Sequence, residues 1–203
     1  MSAGVMKTGV MKAGGILIWA GLGIAIMWPL WAAASSPLLE WRDPIYIMAG
    51  FSGVVGLALL LVQPLLAARA LPGIPAARAH FWSGNALLGA VLLHVAGLWI
   101  TSPPDVVDAL LFRSPTPFSA WGVVATWAVG AAALLAAFRH KVGLRIWRVG
   151  HSLLIVIVIL GSIVHAWMIQ GTMATTSKAG LCLLVVCATG WTLWRRRVWR
   201  LLI

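Results

Sequence analysis

A chain of 203 residues that is 62% hydrophobic and only 9% charged departs far from a soluble domain, where about a quarter of residues are charged. The composition excludes a water-soluble globular enzyme and leaves little chain outside the bilayer, since each crossing takes about 20 apolar residues. The net charge of +11 falls in short clusters between apolar runs, which is a topology signal and not a nucleic-acid-binding surface.

Six apolar runs follow one another, each about the length of a spanning helix. The first, roughly 16–34, follows Lys7 and Lys12. It ends at Trp31-Ala32-Ala33-Ala34-Ser35, which also has the look of a signal-peptide cleavage site. The run exceeds the about 7–15 apolar residues of a signal peptide, so a retained span is expected. The second run, roughly 45–68, lies between Ser35-Ser36-Pro37 and Leu71-Pro72-Gly73-Ile74-Pro75. The third, roughly 80–100, stops at Ser102-Pro103-Pro104, and Ser114-Pro115-Thr116-Pro117 leads into the fourth, roughly 118–138. The fifth covers roughly 149–170 and the sixth roughly 179–194. All are expected to be helices, because any other spanning segment leaves backbone groups unsatisfied in lipid. The fold class is an all-α membrane protein, a six-transmembrane-helix bundle forming one domain over 1–203, with no internal sequence repeat.

Charge sets the orientation. Lys7, Lys12, Arg69, Arg78, Arg139, Lys141, Arg145, Arg148, Arg195, Arg196, Arg197 and Arg200 all fall on one side. The opposite loops hold Glu40, Asp43, Asp105 and Asp108, with Arg42, Arg113 and Lys178 as their cations. Both termini are therefore expected in the cytoplasm. Cys182 and Cys187 lie five positions apart, about 140° around a helix. They lack the spacing of a redox pair and read as apolar packing residues. Many of the 13 tryptophans, including Trp147 and Trp199, fall near run ends, as in an interfacial aromatic belt.

Four histidines carry the chemistry. His80 and His94 are 14 residues apart in the third run, and His151 and His165 are 14 apart in the fifth. That spacing returns to nearly the same helix face, with an offset of about 40°, after a rise of about 21 Å. The two runs point the same way because one crossing separates them. Packed side by side, they would pair His80 with His151 on the cytoplasmic side and His94 with His165 on the outer side. Each pair of neutral imidazoles can ligate one haem iron from opposite faces, giving two stacked b-type haems in a four-histidine core between helices 3 and 5. Iron with two protein ligands has no open position, which favours electron transfer over chemistry at the metal. His140, beside Arg139 and Lys141, reads as a solvated loop residue.

Haem propionates call for cations near the membrane boundary. Arg78, Arg145 and Arg148 stand near the inner histidines, and Arg113 or Lys178 could serve the outer pair. Trp82 and Trp167 are candidates to pack on haem. Gly84, Gly89, Gly150 and Gly161 could make room for a macrocycle or allow close helix approach.

The pattern resembles the ferric reductase-like transmembrane domain family, which includes the membrane portions of NADPH oxidases and ferric-chelate reductases and a bacterial methionine sulfoxide reductase haem subunit. The matching residues are Arg78-Ala79-His80-Phe81-Trp82 through His94, then Arg145-Ile146-Trp147-Arg148-Val149-Gly150-His151 and His165-Ala166-Trp167. The resemblance covers all six helices. It implies the membrane haem subunit of an oxidoreductase in a bacterial inner membrane, with two b-type haems and electron flow from the cytoplasm outward. The chain ends soon after the last run, so flavin is expected only through a partner, a cytoplasmic flavin reductase or similar donor. The outer acceptor could be a small molecule or a redox protein. Two other readings remain at this point, a haem-handling or transport protein, and a haem-free scaffold whose histidines bond between helices.

Overall fold

The computed structural model describes residues 3–196, with side-chain environments from residue 13 onward. The side chains of Lys7 and Lys12, and residues Arg197, Trp199 and Arg200, lie outside the described residues. The described chain is helical, with no strand. Seven helices run in order, α1 (Ala3–Ala34), α2 (Pro44–Ala67), α3 (Ala76–Thr101), α4 (Pro103–Leu110), α5 (Pro117–Ala137), α6 (Leu144–Met168) and α7 (Thr175–Arg195), with a single 3-10 turn at Pro37–Leu39. Six of them, all but α4, are long and apolar enough to cross a membrane.

Local chemistry sets the helix ends. Asp43 starts α2, its Oδ1 accepting from the backbone N–H of Ile45 at 2.7 Å and of Tyr46 at 3.2 Å, which satisfies two of the donors that a helix start leaves open. At the far end of α2, Ala70 N–H donates to Leu65 O and Arg69 N–H to Leu66 O, with Arg69 at φ 55°. This is a Schellman stop with a non-glycine residue in the left-handed position. Phe112, at φ 56°, closes α4 in the same way, with Arg113 N–H donating to Asp108 O.

Several boundaries depart from the expected runs, with α1 beginning at Ala3 and not 16, and α3 at Ala76 and not 80. Helix α4 occupies a segment expected as a connector, because Pro103 and Pro104 begin a helix as readily as they end one. Helix α6 starts five residues before the expected 149, which puts Arg145 and Arg148 on the helix. Helix α7 starts at Thr175, so Lys178, expected in a loop, falls in its first turn.

The spans pack as two tight antiparallel hairpins, α2 with α3 and α5 with α6, with α7 against α2 and α6 and α1 along α7 and α2. Small residues permit this closeness. A Cβ on Gly97 would lie 2.7 Å from that of Ala49, and one on Gly161 would lie 3.0 Å from the Trp121 carbonyl. Helix α7 is tied down by Thr192 Oγ1, which donates to Pro64 O at 3.0 Å, and by the Arg196 guanidinium on the Ala67 carbonyl. Leu57, Leu61, Leu87, Val158, Leu181 and Val185 meet in the central core. Cys182 is buried there, while Cys187 is exposed on the outer surface of α7 and does not pack in the core as expected. Large apolar residues such as Trp31, Leu92, Trp127 and Trp194 face outward, as lipid-facing positions must.

The expected side-by-side packing of the third and fifth spans takes a different form. Helix α3 packs on α2, and α6 on α5. Between the two hairpins lies a cleft, across which α3 and α6 present their histidines.

Candidate functional site

Each hairpin holds its histidines by backbone carbonyls. On α3, His94 Nδ1–H donates to Ala49 O of α2 at 2.8 Å, and His80 Nδ1–H donates to Gln63 O at 3.3 Å. The acceptors Ala49 and Gln63 are 14 residues apart, like the donors, so the hairpin keeps one antiparallel register across both rungs. On α6, His165 Nδ1–H donates to Phe118 O of α5 at 2.8 Å. A carbonyl only accepts, so each bonded Nδ1 carries the proton. In a neutral imidazole the other nitrogen, Nε2, is then left with its lone pair.

The Nε2 atoms of His94 and His165 have no hydrogen-bond partner among the described residues. Their rings face across the cleft, with centroids 6.2 Å apart and planes at 82°. Given a metal–nitrogen bond of about 2.0–2.1 Å and a nitrogen about 1.1 Å from the ring centre, two imidazoles on opposite sides of one metal would have centres about 6.3 Å apart. Both rings line a cavity of about 560 Å³, within the range of about 300–1,000 Å³ for cofactor and ligand sites. Glycines leave room for both rings. A Cβ on Gly53 would lie 3.1 Å from His94 Nδ1, and one on Gly122 would lie 2.6 Å from His165 Nδ1.

The other pair is less closely set. No ring contact joins His80 to His151 among the described residues. His151 stacks on Trp147, one turn earlier on α6, with centroids 5.9 Å apart. His151 Nδ1 and Trp147 Nε1 are both buried with no hydrogen-bond partner. Such orphaned polar atoms are costly in a folded chain, and here two of them lie a turn apart, one on the histidine itself.

The remaining candidates divide. Arg78, Arg145 and Arg148 are exposed near the starts of α3 and α6, within two to six residues of His80 and His151. Trp82 and Trp167 are exposed and do not face the cleft. Each stands two residues from its histidine, about 200° around the helix. Of the four glycines singled out in the sequence, Gly161 makes a helix crossing and Gly89 meets nothing within 4 Å. Gly84 approaches the Gln63 side chain, and Gly150 approaches Leu135. Arg113 is exposed and does not line the cavity, whereas Lys178 is buried and does. His140 is exposed in the turn after α5.

Sequence reasoning missed Ala49, Phe118, Gly53 and Gly122, and it missed Gln63. The Gln63 side chain donates to Ser83 Oγ at 2.9 Å and to the His80 carbonyl at 3.3 Å. A lone amide in an otherwise apolar span was the available signal for Gln63. The other four had none.

The outer donor set fits a b-type haem, with two imidazole lone pairs facing each other across the cavity, second nitrogens fixed by carbonyls, and glycine where the rings need space. Among the described residues no group of three or more His, Cys, Asp or Glu converges as a cage for a bare ion. In comparisons with known proteins, the family described as ferric reductase like transmembrane component matches residues 52–162, just over half of the chain. The matched segment contains His80, His94 and His151 and stops three residues before His165. No curated protein and no solved structure matches the chain.

Proposed function

Since the chain belongs to the ferric reductase like transmembrane component family, we propose that it is a dihaem electron conduit, taking electrons from a cytoplasmic flavoprotein and delivering them to an acceptor outside. The reading rests above all on His94 and His165, whose Nε2 lone pairs are unspent and whose rings stand 6.2 Å apart. These two hold the outer haem, and His80 with His151 hold the inner one. Bis-imidazole haem supplies reversible one-electron exchange with no coordination site left open.

The protein's own work is orientation and exclusion. The Ala49, Gln63 and Phe118 carbonyls fix tautomer and ring direction in three of the four histidines, and a carbonyl partner raises the basicity of the ligating nitrogen. Leu57, Val91 and Val129 give the cavity apolar walls, so less solvent rearranges there when charge arrives than at an exposed site. Exposed Arg78, Arg145 and Arg148 are placed to meet the inner propionates. They also belong to the basic face that the positive-inside rule puts in the cytoplasm, on this reading the inner face of a bacterial inner membrane, where an acidic donor can dock by complementary charge. The protein is on this reading the membrane haem subunit of an oxidoreductase, with flavin on its partner.

The test is the reduced-minus-oxidised spectrum and haem content of the detergent-solubilised chain, expressed with ample haem. Two low-spin b haems per chain are expected. Absence of a low-spin b signal would remove the proposal.

A further inference from the structure

Lys178 is 7% exposed and lines the cavity that contains His94 and His165. Its Nζ donates to Ile169 O at 2.7 Å and to Trp167 O at 3.5 Å. Both carbonyls belong to the C-terminal end of α6, which closes at Met168, so the ammonium caps that helix. A helix end carries only about half a unit of negative charge, so the cap offsets part of the ammonium charge and leaves the rest unbalanced. Ammonium has three donors, and the two carbonyls occupy two of them.

No carboxylate among the described residues forms an ion pair with Lys178. Asp105 also lines the cavity, but its Oδ2 accepts from Ser102 Oγ at 2.5 Å. The other cation on the cavity wall, Arg42, is exposed and lies over the Tyr46 ring at 5.2 Å. Lys178 is thus a buried cation with an unspent N–H and no counter-anion among the described residues. A buried cation is stable when an anion accompanies it, and in a span such a group marks a ligand or ion site. Trp167 and Ile169 follow His165 by two and four residues, so the charge sits about one helical turn from the imidazole.

We propose that Lys178 is the carboxylate-binding residue of the outer site, its Nζ receiving a porphyrin propionate. The inference rests on the haem reading above and adds the group that holds the macrocycle's acidic edge. A purely structural cap makes a different prediction, because removing it weakens the site regardless of what the porphyrin carries.

The experiment uses the full chain with His151→Ala, which leaves the outer pair as the only one able to give a low-spin centre. Ferric protoporphyrin IX and its dimethyl ester are titrated into it in detergent and followed by the low-spin Soret band, with and without Lys178→Gln. With Lys178 present, the free acid is expected to bind about tenfold or more tighter than the ester. Lys178→Gln should abolish that preference by lowering free-acid affinity alone. A preference that survives Lys178→Gln overturns the proposal, as does a parallel fall for both porphyrins, which is the signature of a cap. If the glutamine chain does not assemble, equal binding of the two porphyrins by the lysine chain overturns it. No low-spin signal with either porphyrin sinks the haem reading itself, and the proposal with it.

Discussion

Gly122 lies beneath His165 so closely that a Cβ built on it would sit 2.6 Å from Nδ1 and 2.7 Å from Cε1. The same α5 helix offers the Phe118 carbonyl to that Nδ1 one turn earlier, so a single turn of backbone both seats the ring and aims it. The α2–α3 hairpin repeats the device, with Gly53 one turn from Ala49 and its Cβ position 3.1 Å from His94 Nδ1.

The two glycines should therefore be unequal. Gly122→Ala forces the His165 ring away, and overpacking of this kind costs about 1–3 kcal/mol, which, taken from haem binding, is a loss of about fivefold to 150-fold in outer-haem affinity. Gly53→Ala needs a shift of only a few tenths of an ångström and should cost less. Haem titration of both variants checks the order, and equal losses would separate the glycines from ring placement.

The ligand pairs should fail independently. His94→Ala and His165→Ala remove the outer low-spin centre and leave the inner one, while His80→Ala and His151→Ala do the converse. Haem content falls to about one per chain in each case, since each iron needs both of its imidazoles to stay low-spin. Potentiometric titration distinguishes the survivors. Loss of both centres from any single replacement would mean that the histidines form one site and not two.

How far the sequence reached depends on what kind of atom does the work. His94 and His165 were legible as a facing couple because a spacing of 14 residues, repeated in two runs of the same direction, returns each pair of histidines to one helix face at matched depths. Ala49 and Phe118 act through main-chain oxygens, which every residue has, so their identity carries no signal. Gly53 and Gly122 were two of 21 glycines, and nothing marked them until the carbonyl rungs fixed the hairpin register. That duplicated carbonyl–glycine arrangement is a structural repeat with no sequence repeat behind it. Helix α4 was hidden because prolines that stop one helix also begin the next, and Lys178 read as a loop cation because the start of α7 was placed four residues late.

Closeness of the first hairpin rests on Gly97. Its Cβ position is 2.7 Å from Ala49 Cβ and 3.3 Å from the Ile45 carbonyl, so both obstacles are on the backbone or one bond from it and cannot swing away. Gly97→Val should part α2 from α3 near the Ala49 rung and lower stability by about 1–3 kcal/mol. Thermal unfolding in detergent reads the loss. Because the splayed rung includes the His94 hydrogen bond, the outer haem should dissociate before the inner one on heating. Simultaneous release would place the weakness elsewhere.

The inner site should tighten when loaded. On α3 both histidines reach carbonyls of the facing helix, and the acceptors repeat at the same interval of 14 as the donors. On α6 only His165 does so, and His151 Nδ1 is buried with no partner. Carrying the α5–α6 register back by the same interval from Phe118 brings His151 opposite Ala132, a buried residue of α5. As an iron ligand through Nε2, His151 would carry its proton on Nδ1, and a metal-bound imidazole almost always donates through that second nitrogen, which draws the ring toward the nearest acceptor. A structure of the haem-loaded protein should therefore show His151 Nδ1 within about 3.2 Å of the Ala132 carbonyl. If His151 ligates iron while its Nδ1 stays unpartnered, or turns instead toward a propionate, the two hairpins are not equivalent and the register argument ends at the outer pair.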